Sequence, residues 1–238
     1  MNENLSYYDF LIGESNKDAA ELCFNAANGT SDGGKILFIH GESGCGKTHL
    51  LNATLAMFRE NHAEDKLAES VTLEKLVEDY LQAVNRSAVP FFVSRCTANK
   101  LFLVDDVGFL IGKEATQDEL GTLFIRMADS GASVILFSEY GADRFAGFAE
   151  MVNDPRFSAA QMEKADAQMR ARALDKILAD ENITITGKTH DYIVNASGKD
   201  ISALRAYVKQ LEFASRVYGT VSDGKAVALS EVFYEKDV

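Results

Sequence analysis

The segment Gly41-Glu42-Ser43-Gly44-Cys45-Gly46-Lys47-Thr48 fits the spacing GxxxxGK[ST]. Its glycines let the backbone bend so that successive N–H groups, those of Glu42, Ser43 and Cys45 among them, point at phosphate oxygens. The N-terminus of the helix that follows would add partial positive charge. Lys47 is the residue expected on the β and γ phosphates of ATP or ADP, and Thr48 is expected to set its hydroxyl on Mg²⁺. His49 comes with the motif and offers no chemistry of its own. Cys45 reads as a small filler, since nothing marks its thiol as reactive. A Gly-rich turn without a ligand is the plain alternative, and the flanking strand and helix patterns count against it. Further along, Asp105-Asp106 follows the apolar run Leu101-Phe102-Leu103-Val104. At the C-terminal end of a parallel strand, Asp105 would hold Mg²⁺, directly or through water, and Asp106 would orient or activate the attacking water. Two solvated loop carboxylates are the alternative there. Ser138-Glu139 closes a third apolar run, and Glu139 could sense a γ-phosphate; an ordinary polar strand end accounts for it equally well.

These groups meet only if the elements carrying them share one sheet edge. Ile36-Leu37-Phe38-Ile39-His40 is a short apolar run ahead of the glycines and suits a strand buried on both faces. From Thr48 to His62 the residues Leu50, Leu51, Thr54, Leu55 and Phe58 recur at helical spacing. A second helix is expected from Leu73 to Val84, with Leu73, Leu76, Val77, Tyr80, Leu81 and Val84 on its apolar stripe. A third is expected from Thr116 to Asp129, with Leu120, Leu123, Phe124 and Met127 inward. Ser133-Val134-Ile135-Leu136-Phe137 is the last clear strand. Strand and helix alternate as in a parallel sheet wrapped by helices. After Pro155 no strand of that kind is expected, and residues 166–216 read as helices broken near Gly187 and Gly198. The expectation is two domains, 1–162 and 163–238, with 225–229 open between strand and loop.

The chain has 238 residues, 24 Lys+Arg and 36 Asp+Glu, for a net charge of −12. Such a length buries a core without disulfides. Residues 163–238 are nearly neutral, so the acidity sits on the first two thirds. That balance argues against a protein whose main task is coating duplex DNA, where Lys and Arg at phosphates dominate. Cys23, Cys45 and Cys96 show no CxxC spacing and read as free thiols of a cytoplasmic protein. His40, His62 and His190 are scattered and do not form a metal site. No stretch is long and apolar enough to span a membrane, and the N-terminus lacks a secretory signal.

The stretch from Asp105 to Glu119, DDVGFLIGKEATQDE, resembles the DDxxFLxGKxxTQxE block of the bacterial replication initiator DnaA. Phe10-Leu11-Ile12-Gly13-Glu14-Ser15-Asn16 is similar to the FxxGxxN opening of that family's ATPase domain. Gly44-Cys45-Gly46-Lys47-Thr48-His49-Leu50-Leu51 is similar to its GxGKTHLL loop, and 179–185 to the start of its helical lid. The resemblance implies an AAA+ fold: an α/β P-loop domain, its parallel sheet sandwiched by helices, followed by a small helical lid. It implies that Phe10, Leu11, Ile12 and Asn16 lie beside adenine. It places a helical insert at about 72–100, which in the initiator contacts single-stranded DNA. Here that insert carries Lys75, Arg86, Arg95 and Lys100, and Tyr80, Phe91 and Phe92 could stack on bases or pack inward. The lid arginine aligns with Ser202, leaving Arg205 one turn later as its substitute. The arginine that reaches a neighbour's γ-phosphate best matches Arg156, with Arg144 as rival. The family's duplex-reading domain would follow the lid, so duplex DNA is not an expected partner. Such an architecture also resembles Hda, a DnaA-related regulator.

Three functions are therefore in view. One is a slow, assembly-dependent ATPase that switches partners in replication initiation or its control, with itself or another AAA+ initiator as partner. The second is an Hda-like adaptor that holds nucleotide without turnover and docks on an initiator or clamp. The third is a helicase loader touching single strands through the insert. A metabolite kinase shares the loop but not the Asp105–Glu119 block.

Overall fold

A computed structural model describes residues 10–29, 34–62, 67–198 and 201–218. The segment 225–229 lies outside the described residues. The chain divides into two compact units, Met1–Glu163 and Lys164–Val238. The first unit carries helix α1 (Lys17–Ala27), strand β1 (Lys35–His40), α2 (Lys47–Asn61), β2 (Ala68–Thr72), α3 (Leu73–Asn85) and α4 (Val89–Thr97). There follow β3 (Leu101–Asp105), α5 (Glu114–Asp129), β4 (Ser133–Ser138), the short α6 (Ala149–Val152) and β5 (Phe157–Gln161). The strands form one parallel sheet in the order β2-β3-β4-β1-β5.

The three central strands are apolar at nearly every position because both faces are covered. In β1, Ile36 and Phe38 enter the core beneath α3, α4 and α5, while Leu37 and Ile39 enter the core with α1 and α2. The same alternation runs through β3 and β4: Phe102, Val104, Val134 and Leu136 face one layer, Leu103, Ile135 and Phe137 the other. Parallel pairing brings every C-terminal strand end to one edge of the sheet. There the ends of β1, β3 and β4 present the glycine loop, Asp105 and Ser138.

Two strands depart from the sequence expectation. The residues after Pro155 do form a strand: β5 pairs with β1 from Ile36↔Phe157 to His40↔Gln161. It was not legible because Ser158, Ala159 and Ala160 are small and the strand sits at a sheet edge, so no apolar run is needed. The polar Ala68–Thr72, likewise unexpected, is the opposite edge and pairs with β3. Helix α1 was also not anticipated; it buries mostly alanines. The stripe expected on α3 is narrower than its spacing implied. Leu73 and Leu76 are buried and Val77 and Tyr80 pack against the core, but Leu81 and Val84 are exposed and Ala83 is buried instead. The helix rests on β2 and α4 along one face only, and Leu81 and Val84 fall on its flank.

The second unit contains α7 (Ala167–Asp180), α8 (Gly187–Ala196) and α9 (Ile201–Tyr218). Asp166 caps α7 by accepting the Met169 N–H at 2.7 Å, and Thr186 caps α8. Gly187 therefore opens a helix, and the break it was expected to mark is the preceding turn. Gly198 takes a φ of +61° at the second break. Arg170 is buried and donates to the carbonyls of Ala165 at 2.7 Å and Val194 at 3.2 Å, tying α7 to α8.

Candidate functional site

The glycine loop joins β1 to α2. Gly46 takes a φ of +100° and, as the N-cap of α2, has no side chain to cap the helix. The helix N-terminus is thereby left to polarise the loop. Gly41 passes so close to the Met162 carbonyl that a Cβ there would collide with it. The Lys47 ammonium donates to the loop carbonyls of Gly41 at 2.5 Å and Glu42 at 3.0 Å. Cys45 is buried against this loop, and burial raises its thiol pKa above the ordinary value. Cys23 and Cys96 are buried too, pushed up to about 12 and about 11, so all three thiols are inert fillers.

Thr48 and Asp105 meet across the sheet edge. The Thr48 hydroxyl donates to a carboxylate oxygen of Asp105 at 3.1 Å, and the Asp106 N–H donates to the other at 2.9 Å. Burial raises the Asp105 pKa above the ordinary carboxylate value, against the pull of those two donors. Asp106 itself is exposed and takes a φ of +58°, a left-handed conformation that Asp tolerates better than most residues. It starts a 3₁₀ turn over Val107–Leu110. Buried Gln117 braces that turn: its amide donates to the Leu110 carbonyl and accepts the Gly147 N–H, both at 2.8 Å. Gln117 of the Asp105–Glu119 block thus has a structural task that its sequence position did not reveal.

The segment 10–16 lies against α1 and α2 through Phe10. Phe10 is buried, edge-on to Phe24 and to the His49 ring at 5.2 Å between centroids. Asn16 turns inward, accepting the Gly13 N–H at 2.9 Å and donating to the Leu11 carbonyl at 3.0 Å. Its amide is committed to shaping its own loop. Ile12 is exposed beside it, and Leu11 is half-buried. Glu139 is exposed at the end of β4, where the Ser138 hydroxyl accepts the Tyr140 N–H at 3.0 Å. His40, read from the sequence as isolated, ends β1 at this edge, and burial lowers its pKa, opposed by the Asp143 carboxylate and reinforced by Lys47.

Arg156 is not at this edge. It precedes β5, and its carbonyl accepts the Ile36 N–H at the start of β1. The glycine loop lies one strand length away, about 17 Å at 3.3 Å per residue. Its guanidinium is paired to Asp154 and Asp129. Arg144 is exposed in a 3₁₀ turn, and Arg205 is exposed on α9 of the second unit.

The insert divides differently from its composition. Lys75 pairs with Glu78 and Asp79, and Arg95 pairs with Asp79 and lies over the Phe92 ring. Phe92 is core and Tyr80 packs against it, whereas Phe91 is 76% exposed and Arg86 is exposed without an ion pair among the described residues. Two of the insert's bases, Lys75 and Arg95, are thus held by its own carboxylates.

Residues 1–164 match the bacterial DnaA ATPase domain. The chromosomal replication initiator protein DnaA of Nostoc punctiforme is 27% identical over 219 residues, 90% of this chain and 47% of that protein. The chain spans about half the length of the curated relatives it matches. Domain III of Thermotoga maritima DnaA has a TM-score of 0.81 at 24% identity, over 98% of both chains. A replication initiator DnaA solved with AMPPCP and single-stranded DNA has a TM-score of 0.78 at 20% identity, over 98% of this chain and 69% of that one. The sheet order, the loop after β1 and these likenesses give the AAA+ fold. With the match covering well over half its length, the chain belongs to the bacterial DnaA ATPase domain family.

Proposed function

We propose that the chain binds ATP or ADP with Mg²⁺ and acts as a slow, assembly-dependent ATPase switch in replication initiation or its control. The observation that carries this reading is the Thr48–Asp105 hydrogen bond, which joins the phosphate loop to a strand-end carboxylate at one sheet edge. In the reading, the loop amides and Lys47 hold the phosphates, the ammonium exchanging the Gly41 and Glu42 carbonyls for phosphate oxygens. A hydroxyl and a carboxylate are hard oxygen donors, and no group of three or more His, Cys, Asp or Glu forms a metal cage among the described residues. That donor set fits Mg²⁺, which keeps waters and substrate phosphates as its other ligands. When bound, Mg²⁺ would supply charge neutralisation at the β and γ phosphates. Asp106 orients or deprotonates the attacking water, and Glu139 senses the γ-phosphate. Phe10, Leu11 and Ile12 flank the base, with Asn16 shaping their loop. Arg205 is the lid arginine of this reading.

The distance of Arg156 from its own loop supports action on a neighbouring copy. A trans arginine is worth on the order of 10³–10⁵ in rate in related phosphoryl transfer, so turnover of the isolated chain is slow. The partner is a second copy or another AAA+ initiator. Contact with single-stranded DNA would run through exposed Phe91 and Arg86.

The test is calorimetry with ATP and ADP, followed by turnover against protein concentration. Nucleotide binding weakened in Lys47→Ala, with turnover that rises with concentration and vanishes in Arg156→Ala, supports the switch. No nucleotide binding at all refutes it. A non-hydrolysing adaptor is favoured by one observation, the pairing of Arg156 to two carboxylates; tight binding without turnover at any concentration would select it.

A further inference from the structure

The two carboxylates on Arg156 are not equivalent. Asp154 accepts from Nε at 2.8 Å and from Nη2 at 2.7 Å, and also takes the Arg156 backbone N–H at 2.9 Å. Its side chain is only 10% exposed. This is a bidentate pair closed within a three-residue turn, and it fixes the orientation of the guanidinium. Asp129 takes a single contact, from Nη1 at 2.8 Å, and is 61% exposed. It is the last residue of α5, where the negative end of the helix dipole disfavours a carboxylate. Its ion-pair partner among the described residues is Arg156.

The side of the guanidinium that Asp154 leaves over is the side an incoming phosphate must take, and Asp129 occupies it. We propose that Asp129 is an intramolecular competitor for Arg156. It holds the Nη1 side in the isolated chain and yields it to the γ-phosphate bound by a neighbouring copy. This rests on the reading of Arg156 as the residue that completes a neighbour's site. Asp154 stays paired throughout, so one contact is exchanged and two are kept. An exposed ion pair is weak and screened, while a γ-phosphate carries more charge and more acceptors. The competitor therefore sets a threshold for assembly and does not block it.

The full chain is measured in ATP for turnover and for mass by light scattering, both against protein concentration. The variants are Asp129→Asn, Arg156→Ala and the two combined, with Arg156→Gln in place of the alanine variant if that one does not fold. Asp129→Asn should lower the half-maximal concentration about two- to fivefold, the range expected for one exposed ion pair. Nucleotide affinity of the dilute chain should not change, and the shift should disappear in the combined variant. An unchanged or higher threshold in Asp129→Asn, with Arg156→Ala inactive, overturns the competitor and leaves the reading of Arg156 standing. A shift that persists in the combined variant overturns it as well, because it would then come from surface charge alone. Should Arg156→Ala assemble and turn over like the unmodified chain, the reading of Arg156 and the competitor fall together.

Discussion

Replacing Gln117 by Met keeps the side-chain volume and removes both amide hydrogen bonds. The cost can be worked group by group. The Gly147 N–H has the Gln117 oxygen as its acceptor at 2.8 Å. Left unpaired, such a group costs about 1–3 kcal/mol. The Leu110 carbonyl loses the amide donor but keeps the Lys113 N–H at 2.9 Å. That loss is one net hydrogen bond, about 0.5–1.5 kcal/mol. The expected destabilisation is therefore about 2–4 kcal/mol, a large share of the 5–15 kcal/mol typical of a domain. Since the chain has no Trp, unfolding in urea is best followed by far-ultraviolet circular dichroism. With a slope near 2 kcal/mol/M the midpoint should fall by about 1–2 M. Below that concentration the folded variant should still bind nucleotide, because the glycine loop is untouched. Turnover should drop, because the turn that carries Asp106 has lost its brace. A midpoint shift under about 0.3 M would refute the bridge on which this reasoning depends.

Four further outcomes are expected. Lys47→Ala should weaken nucleotide binding about 10- to 150-fold by calorimetry, the loss of one charge-assisted hydrogen bond; an unchanged affinity would remove Lys47 from the phosphates. The Arg156 guanidinium holds the Asp154 carboxyl down to about 2, below the ordinary carboxylate value. Its folded pKa is depressed, so the stability it adds is present above about pH 4 and is lost as pH falls through about 2. Urea midpoints of Asp154→Asn and the unmodified chain should therefore converge between pH 4 and 2, and parallel curves would contradict the pairing. In the insert, Phe92→Ala should cost about 3–5 kcal/mol of stability. Replacing exposed Phe91 and Arg86 together should leave the urea midpoint unchanged and weaken single-strand binding, as read by fluorescence anisotropy at low salt; retained binding would count against contact through the insert.

The sequence alone determined the glycine loop, the strand-end carboxylates and the central strands and helices that flank them. Each depends on local chemistry: glycine torsions, a lysine and a hydroxyl at fixed spacing, or an apolar run covered on both faces. The resemblance to DnaA followed from the Asp105–Glu119 block, whose residues are contiguous. Edge strands were not legible, because Ala68–Thr72 and Phe157–Gln161 bury one side at most and need no apolar run. The direction of side chains in the insert was not legible either: adjacent Phe91 and Phe92 have the same chemistry, and only packing against the core sends one in and the other out. Tertiary structure alone decided that Gln117 braces the Asp106 turn and that Asp129 and Asp154 share Arg156. Those pairs join residues from different elements or opposite sides of a turn. Their contacts depend on how strands stack and where helices end, which spacing along the chain does not encode.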